Sequence, residues 1–285
     1  MKKLKHIIEY AGLRILFAAF KALPLDTASF IGGFMARAIG PYLRAHRIAQ
    51  NNLAMIFPDM SREKKTALLM AMWDNLGRVV AELLHLPNGE LYSRMEVSGR
   101  ENLPTDGKPV IFFSGHIGNW ELCYPIAEHN GIATMMIYRQ ANNPYVDAFI
   151  ATIRATQARA MLAKGAKNAI KLIRAIKSGH SLAMLVDQKM NDGISVPFFG
   201  REAMTAPALA ELALRYDIPL IPARTMRTHG AHFKATIYPP LTYEKTGDTE
   251  KDTLAIMTQV NALLESWIRE TPEQWFWVHK RWPNP

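Results

Sequence analysis

The sequence predicts an α/β domain: a central, largely parallel or mixed sheet with helices on both faces, preceded by N-terminal helices. Three observations carry this expectation. From Pro109 onward, short apolar runs rich in Val, Ile, Phe and Met alternate with longer amphipathic stretches, the pattern of strands joined by crossover helices. Before Gly89 the chain shows helical periodicity and no comparable strand run. Finally, 285 residues with 49% apolar and 21% charged side chains suffice for one sizeable core and exclude both a disordered chain and a polytopic membrane protein.

Two apolar stretches open the chain, Ile7 to Leu23 and Ala28 to Leu43. In the first, Ile8, Leu13, Ile15, Leu16, Phe17 and Phe20 leave Lys5, Glu9, Arg14 and Lys21 on a more polar side. A helix of this kind lies in a membrane interface with its basic residues at the headgroups; the alternative is an amphipathic helix packed on the domain. The second stretch, ASFIGGFMARAIGPYL, is apolar nearly all round, which favours the membrane, as an interfacial helix, a shallow hairpin or a tilted single span. Glu9 and Arg14 break what a secretory signal needs as an uninterrupted apolar region, and no small-residue cleavage site follows. Residues 1–88 are therefore expected to form a helical, membrane-associating region and residues 89–285 the α/β domain.

A long helix is expected from Ser61, a candidate N-cap, to Leu86, ended by Pro87-Asn88-Gly89. Strands follow at 109–115, 132–139, 181–188, 218–227 and 232–240, the last at an edge. Helices are expected at 116–130, 145–160, 166–177, 206–216 and 249–270. In open α/β sheets, sites lie beyond the carboxyl ends of the strands. The first three strands end at His116, Arg139 and Asp187, so three polar residues arrive at one rim.

Formal net charge is +9, which favours an acidic partner. No helix-turn-helix, RNP-like motif or basic-aromatic strand face accompanies it, so nucleic acid is not the expected partner. The single cysteine, Cys123, excludes an internal disulfide framework and a cysteine-rich metal site. No second histidine stands four residues from His116, so no zincin-type metal helix is expected. No cofactor is implied.

The stretch FFSGHIGNWE places Glu121 five positions after His116, with Gly118 and Asn119 between them. Residues so spaced on one ideal helix diverge by about 140°. They meet only if His116 lies in a turn that Gly115 and Gly118 permit. A core histidine with an ordinary helix glutamate is one reading, and a general base with its orienting carboxylate is the other. Arg139 is a clamp for substrate phosphate or carbonyl, or an ion-pair partner of Asp147. Asp187 is a second carboxylate for the His116 site, or a cap for the loop from Lys189 to Gly193. His279, among Trp275, Trp277 and Trp282, fits an interfacial or packing cluster better than a catalytic role.

The block GHIGNWE resembles the His-x4-Asp/Glu signature of glycerolipid acyltransferases, and more narrowly that of the lipid A lauroyl/myristoyl acyltransferases of Gram-negative bacteria. RIAQNNLAMIFPDMS, IYRQANNPYVD, LVDQKMNDGISVPFFGREAMTAPALAELALRY and PEQWFWVHKRW agree with that family in order, so the resemblance spans nearly the whole chain. It implies transfer of a fatty acyl group from an acyl carrier protein thioester to a hydroxyl of a lipid A precursor, on the cytoplasmic face of the inner membrane. Under that resemblance His116 is the general base and Glu121 its orienting carboxylate. Backbone N–H groups at Gly118 and Asn119 steady the oxyanion, with Asp187 in support. Arg139 and Lys164 bind substrate. The stripe Lys167, Lys171, Arg174 and Lys177 is the candidate surface for the acidic carrier protein, or a solvated face. A lysophospholipid or another glycolipid as acceptor, and a non-catalytic membrane-binding protein on the same fold, are the competing readings.

Overall fold

The computed structural model describes residues 2–157, 160–165 and 168–283. Four helices come first: α1 (Lys2–Lys21), α2 (Leu25–Ile39), α3 (Arg44–Ile56) and α4 (Arg62–Glu82). Short α5 (Glu90–Ser93) leads to β1 (Met95–Ser98). Then follow β2 (Ile111–Ser114), α6 (Cys123–His129), β3 (Thr134–Tyr138), α7 (Pro144–Arg154), β4 (Ala160–Ala163), α8 (Ala169–Lys177) and β5 (Ser181–Leu185). The last elements are β6 (Lys189–Phe198), β7 (Arg201–Thr205), α9 (Ala208–Tyr216), β8 (Leu220–His229), β9 (His232–Ile237) and α10 (Thr249–Glu270).

Seven strands form one sheet in the order β1-β9-β8-β2-β5-β3-β4. All neighbours run parallel except β8 and β9, a hairpin through which the sheet becomes mixed. β2 and β5 are fully or nearly fully buried along their length, as central parallel strands covered on both faces must be. The expected class of fold is the observed one. Ser61 caps α4, its hydroxyl accepting from the Lys64 amide at 3.3 Å.

Several local expectations fail for identifiable reasons. Residues 116–130 are not one helix: a turn through Gly118 at φ 61° and a short 3-10 turn at Trp120–Leu122 precede α6. The helix expected to reach residue 160 stops at Arg154, and the Ala-Met-Leu-Ala run of β4 pairs with β3 instead. Pairing against a sheet edge has overridden the helical propensity of those residues. The expected loop 189–193 opens β6, whose pairing with β7 breaks register between Lys189 and Ile194. β9 is not an edge, because β1, four residues too short to show a period, covers it.

The helices before residue 88 share the buried clusters of the sheet. Ala49, Leu53, Leu69, Met72 and Trp73 pack with Phe113, Leu182 and Trp275, and Phe17 and Phe20 with Phe112 and Phe233. The change near residue 88 thus marks where alternation of strands and helices begins, not a gap in packing. Outside this core the first two helices keep a set of exposed apolar side chains. These are Leu4, Ile8 and Ile15 on α1, Phe30 and Phe34 on α2, and Ile39, Tyr42 and Leu43 at its end. Among the described residues, no helix is long and apolar enough to cross a membrane.

α2 and α4 approach so closely that a Cβ at Gly32 would stand 2.5 Å from the Gly77 carbonyl oxygen. Gly32→Ala is therefore expected to cost about 1–3 kcal/mol through overpacking and to lower the melting temperature by several degrees. Gly12→Ala on α1, where a Cβ meets nothing within 4 Å, should leave melting unchanged or raise it. Thermal denaturation of both variants checks the contrast.

Candidate active site

β2 and β5 are adjacent and parallel, so the residues that follow them arrive side by side on the C-terminal rim. This brings His116 and Asp187 together. His116 Nδ1 lies 2.7 Å from Asp187 Oδ1, and the His116 amide donates to Oδ2 at 2.7 Å. Trp275 Nε1 donates to the same Oδ2 at 2.9 Å. Asp187 has no solvent exposure, and burial alone would raise its pKa. The charge and hydrogen bonds of His116, with help from His279, outweigh burial, and the net shift is downward. An ionised carboxylate on Nδ1 fixes the proton there and leaves Nε2 as the acceptor. Nε2 stands 3.4 Å from the Gln188 amide nitrogen.

Glu121 is not the carboxylate that orients His116. It is buried, and Arg154 engages it from Nε at 2.8 Å to Oε2 and from Nη2 at 2.5 Å to Oε1. Trp120 Nε1 adds a bond to Oε1 at 3.1 Å. The left-handed turn at Gly118 separates His116 from Glu121, and a neighbouring strand supplies the histidine's partner. Burial disfavours the Arg154 cation, but Glu121 more than offsets this and its pKa is raised.

Backbone N–H groups at Gly118 and Asn119 are not free to hold an oxyanion either. Gly118 N donates to Gln274 O at 2.9 Å and Asn119 N to Thr225 O at 3.0 Å. Ile117 N is also spent, on Gly115 O. Gly118 is required by close approach, since a Cβ there would fall 1.9 Å from Thr225 O. These two residues shape the loop instead of presenting donors.

A pocket of about 240 Å³ opens beside His116, with Glu121, Arg154, Arg139, Lys164 and Gln188 in its walls. Arg139 is exposed at the end of β3. Asp147, its expected alternative partner, accepts instead from the Ala141 amide at 2.8 Å and from Gln140 at 3.3 Å. Lys164 follows β4, and its Nζ donates to Leu185 O at 3.0 Å. Burial lowers its pKa, opposed by Asp187 and assisted by Arg139. Lys171, Arg174 and Lys177 are exposed on α8, outside the pocket lining; Lys167 lies outside the described residues.

Sequence reasoning missed the parts that hold this rim. The C-terminal segment straps the His116 loop: Phe276 N donates to His116 O at 3.0 Å, and Ile117 pairs with Trp275. His279 Nδ1 meets Phe276 O at 2.8 Å, and its Nε2 lies 3.3 Å from Asp187 O. Behind the loop, fully buried Glu82 accepts from Arg227 at 2.5 and 2.9 Å, from Asn119 at 2.8 Å and from Ser29 at 2.6 Å. Asn75 donates to Gly118 O at 3.0 Å. A lone carboxylate inside RVVAELLHL was the available signal for Glu82, and an arginine inside FIATIRA that for Arg154; neither names its partner.

The geometry places an imidazole, with Nδ1 on a buried carboxylate, at the edge of a pocket lined by Arg139, Arg154 and Lys164, and comparison with known proteins gives the family. Residues 1–284 match the family described as Bacterial lipid A biosynthesis acyltransferase. The chain is 24% identical to a lipid A biosynthesis palmitoleoyltransferase of Escherichia coli K12, over 97% of this chain and 91% of that protein. It is equally similar, at 24%, to the lipid A biosynthesis lauroyltransferase of the same organism, over 97% and 92%. A solved 1-acyl-sn-glycerophosphate acyltransferase from Thermotoga maritima aligns over 93% of this chain and all 100% of its own, at 15% identity and a TM-score of 0.37, too loose a likeness to carry weight. The protein is an acyltransferase. More particularly, it belongs to the bacterial lipid A biosynthesis acyltransferases.

Burial holds the His279 pKa down at about 4, so the folded state binds its proton less readily than the unfolded chain does. Its contribution to stability is complete above the ordinary value of 6.5 and is lost as pH falls toward 4. Between pH 7.5 and 5 the wild type should lose about 2 kcal/mol through this group, and a His279→Gln variant should lose less. Denaturant unfolding at the two pH values checks the difference.

Proposed function

We propose that the protein transfers a fatty acyl chain from acyl carrier protein to a hydroxyl of a lipid A precursor, at the cytoplasmic face of the inner membrane. The observation that carries this reading is the His116–Asp187 couple in a member of this family, with Nε2 directed to the pocket side. The acceptor hydroxyl gives its proton to His116 Nε2 as its oxygen attacks the thioester carbonyl. Asp187 stabilises the imidazolium that forms. Collapse of the tetrahedral intermediate breaks the carbon–sulfur bond, and the imidazolium returns the proton to the departing thiolate. No covalent enzyme intermediate is needed.

With the loop amides spent, side chains meet the negative charge on the carbonyl oxygen. Arg154, fixed by Glu121, and the Gln188 amide serve there, in a pocket where a fixed charge acts more strongly than in water. Glu121 is thus a positioning residue for Arg154. Arg139 and Lys164 hold phosphate of the donor or acceptor. The exposed apolar side chains of α1 and α2 rest in the membrane interface.

His116→Ala is expected to lower turnover by roughly 10³-fold or more, and Asp187→Asn by about 10²-fold or more. Glu121→Gln should retain more activity than His116→Ala, because the imidazole and its aspartate remain. Transfer assays with lipid A precursor check the series, and near wild-type turnover in His116→Ala would overturn the assignment. Full activity after exhaustive chelation is expected as well; rescue of an inactive apo-protein by one divalent ion would overturn acid–base chemistry alone.

Carrier proteins are acidic, so the association rate should fall with added salt. α8 runs back from the rim toward the start of β5, which leaves its N-terminal end nearest the site. Lys171→Glu with Arg174→Glu should raise KM for acyl carrier protein and leave kcat nearly unchanged. An unchanged KM removes this surface, and equal use of acyl-coenzyme A removes the donor assignment.

A further inference from the structure

A second basic pocket, of about 750 Å³, lies between the start of α3 and the end of the C-terminal strap. Arg44, Arg47 and Lys280 line it, together with His46, and among the described residues no carboxylate does. All three long cations are exposed, and among the described residues none of them has an ion-pair partner. Trp73 Nε1 donates to His46 Nδ1 at 3.0 Å. Indole can only donate, so a neutral His46 carries its proton on Nε2 and adds a donor to the lining. Burial lowers the His46 pKa, which keeps that tautomer the ordinary form near neutrality.

The rim of this pocket is apolar. Tyr42 is 89% exposed and Leu43 47% exposed, and both line it. They continue the exposed apolar side chains Phe34 and Ile39 of α2. Unpaired cations beside uncovered aromatic and aliphatic surface match an amphiphile whose head is an anion and whose body is hydrocarbon. A soluble anion would leave the apolar rim uncovered, and a neutral lipid would leave the cations unpaired.

We infer that this pocket binds the phosphate of an anionic bilayer phospholipid, with Tyr42 and Leu43 inserted among its acyl chains, and so fixes how the protein sits on the membrane. The inference rests on the membrane placement of α1 and α2 proposed above. It adds a discrete headgroup site to what would otherwise be a diffuse attraction.

Flotation of the full-length protein on phosphatidylcholine vesicles with and without phosphatidylglycerol tests it. Arg44→Ala with Arg47→Ala should lower partition onto phosphatidylglycerol vesicles by about thirtyfold and leave the weak binding to pure phosphatidylcholine unchanged. Lys280→Ala alone should lower it by about fivefold. Lys171→Ala with Arg174→Ala, an equal loss of charge on α8, should change it by less than about threefold. Matching melting curves establish that the folds are intact, and transfer to detergent-dispersed acceptor should be unaffected in the Arg44/Arg47 variant. If that variant floats like the wild type, or the α8 control loses as much, the pocket is not a headgroup site. If glycerol phosphate displaces the protein from vesicles at millimolar concentration, or KM for the acceptor rises in place of lost flotation, the bilayer assignment is overturned. Failure of the wild type to float on either vesicle overturns the membrane placement along with the pocket.

Discussion

A carboxylate with no exposure to water must be surrounded by donors, or it neutralises itself. Asp187 meets this condition with donors from two other parts of the chain: His116, by ring and backbone, at the end of β2, and Trp275 on the C-terminal strap. Its bonds therefore do two things at once. They fix the tautomer of the imidazole, and they tie the ends of two central strands to the last segment of the chain. Gly115 stands in the same crowd, its missing Cβ 3.2 Å from Asp187 Oδ2. The placement of the imidazole at the rim is a consequence of how the buried charge is satisfied.

The same logic recurs one layer behind. Glu82, also without exposure, takes up Arg227 from β8, Asn119 from the site loop and Ser29 from α2. Removing one member of such a buried pair leaves the other uncompensated, which typically costs several kcal/mol. The first helices are therefore joined to the loop that carries His116 by buried polar bonds as well as by apolar packing. With Asn75 on Gly118 O and Gln274 accepting from Gly118 N, little freedom is left to residues 116–119. A rigid loop of this kind suits the role of base proposed for His116, which requires the imidazole to hold its position against a reacting oxygen.

Charge and apolar surface are distributed unevenly over the molecule. Among the described residues, cations without carboxylate partners include Arg139 and Lys164, which flank the pocket beside His116, and Arg44, Arg47 and Lys280 beside Tyr42 and Leu43. Other basic residues are paired, as Arg94 is with Asp26 and Glu90, or Arg78 with Asp74, and Lys171, Arg174 and Lys177 stand exposed on α8. The net charge of +9 thus includes two groups of cations at pockets, where anionic groups of lipid or donor are proposed to approach.

By itself the sequence determined the class of fold, the long capped α4, and the arrival of His116, Arg139 and Asp187 at one rim. Each of these follows from local signals: apolar runs of strand length, a serine before a helical period, polar residues where a run stops. Local periodicity could not decide the short strands β1 and β4, which exist only because a neighbour completes their hydrogen bonds. Nor could it choose the partner of His116. Glu121 is close in sequence and Asp187 is distant, yet strand order sets Asp187 beside the imidazole, while the turn at Gly118 commits Glu121 to Arg154. The tertiary structure likewise decided that the amides of Gly118 and Asn119 are spent on Gln274 and Thr225, since a backbone donor is free or occupied only according to what packs against it.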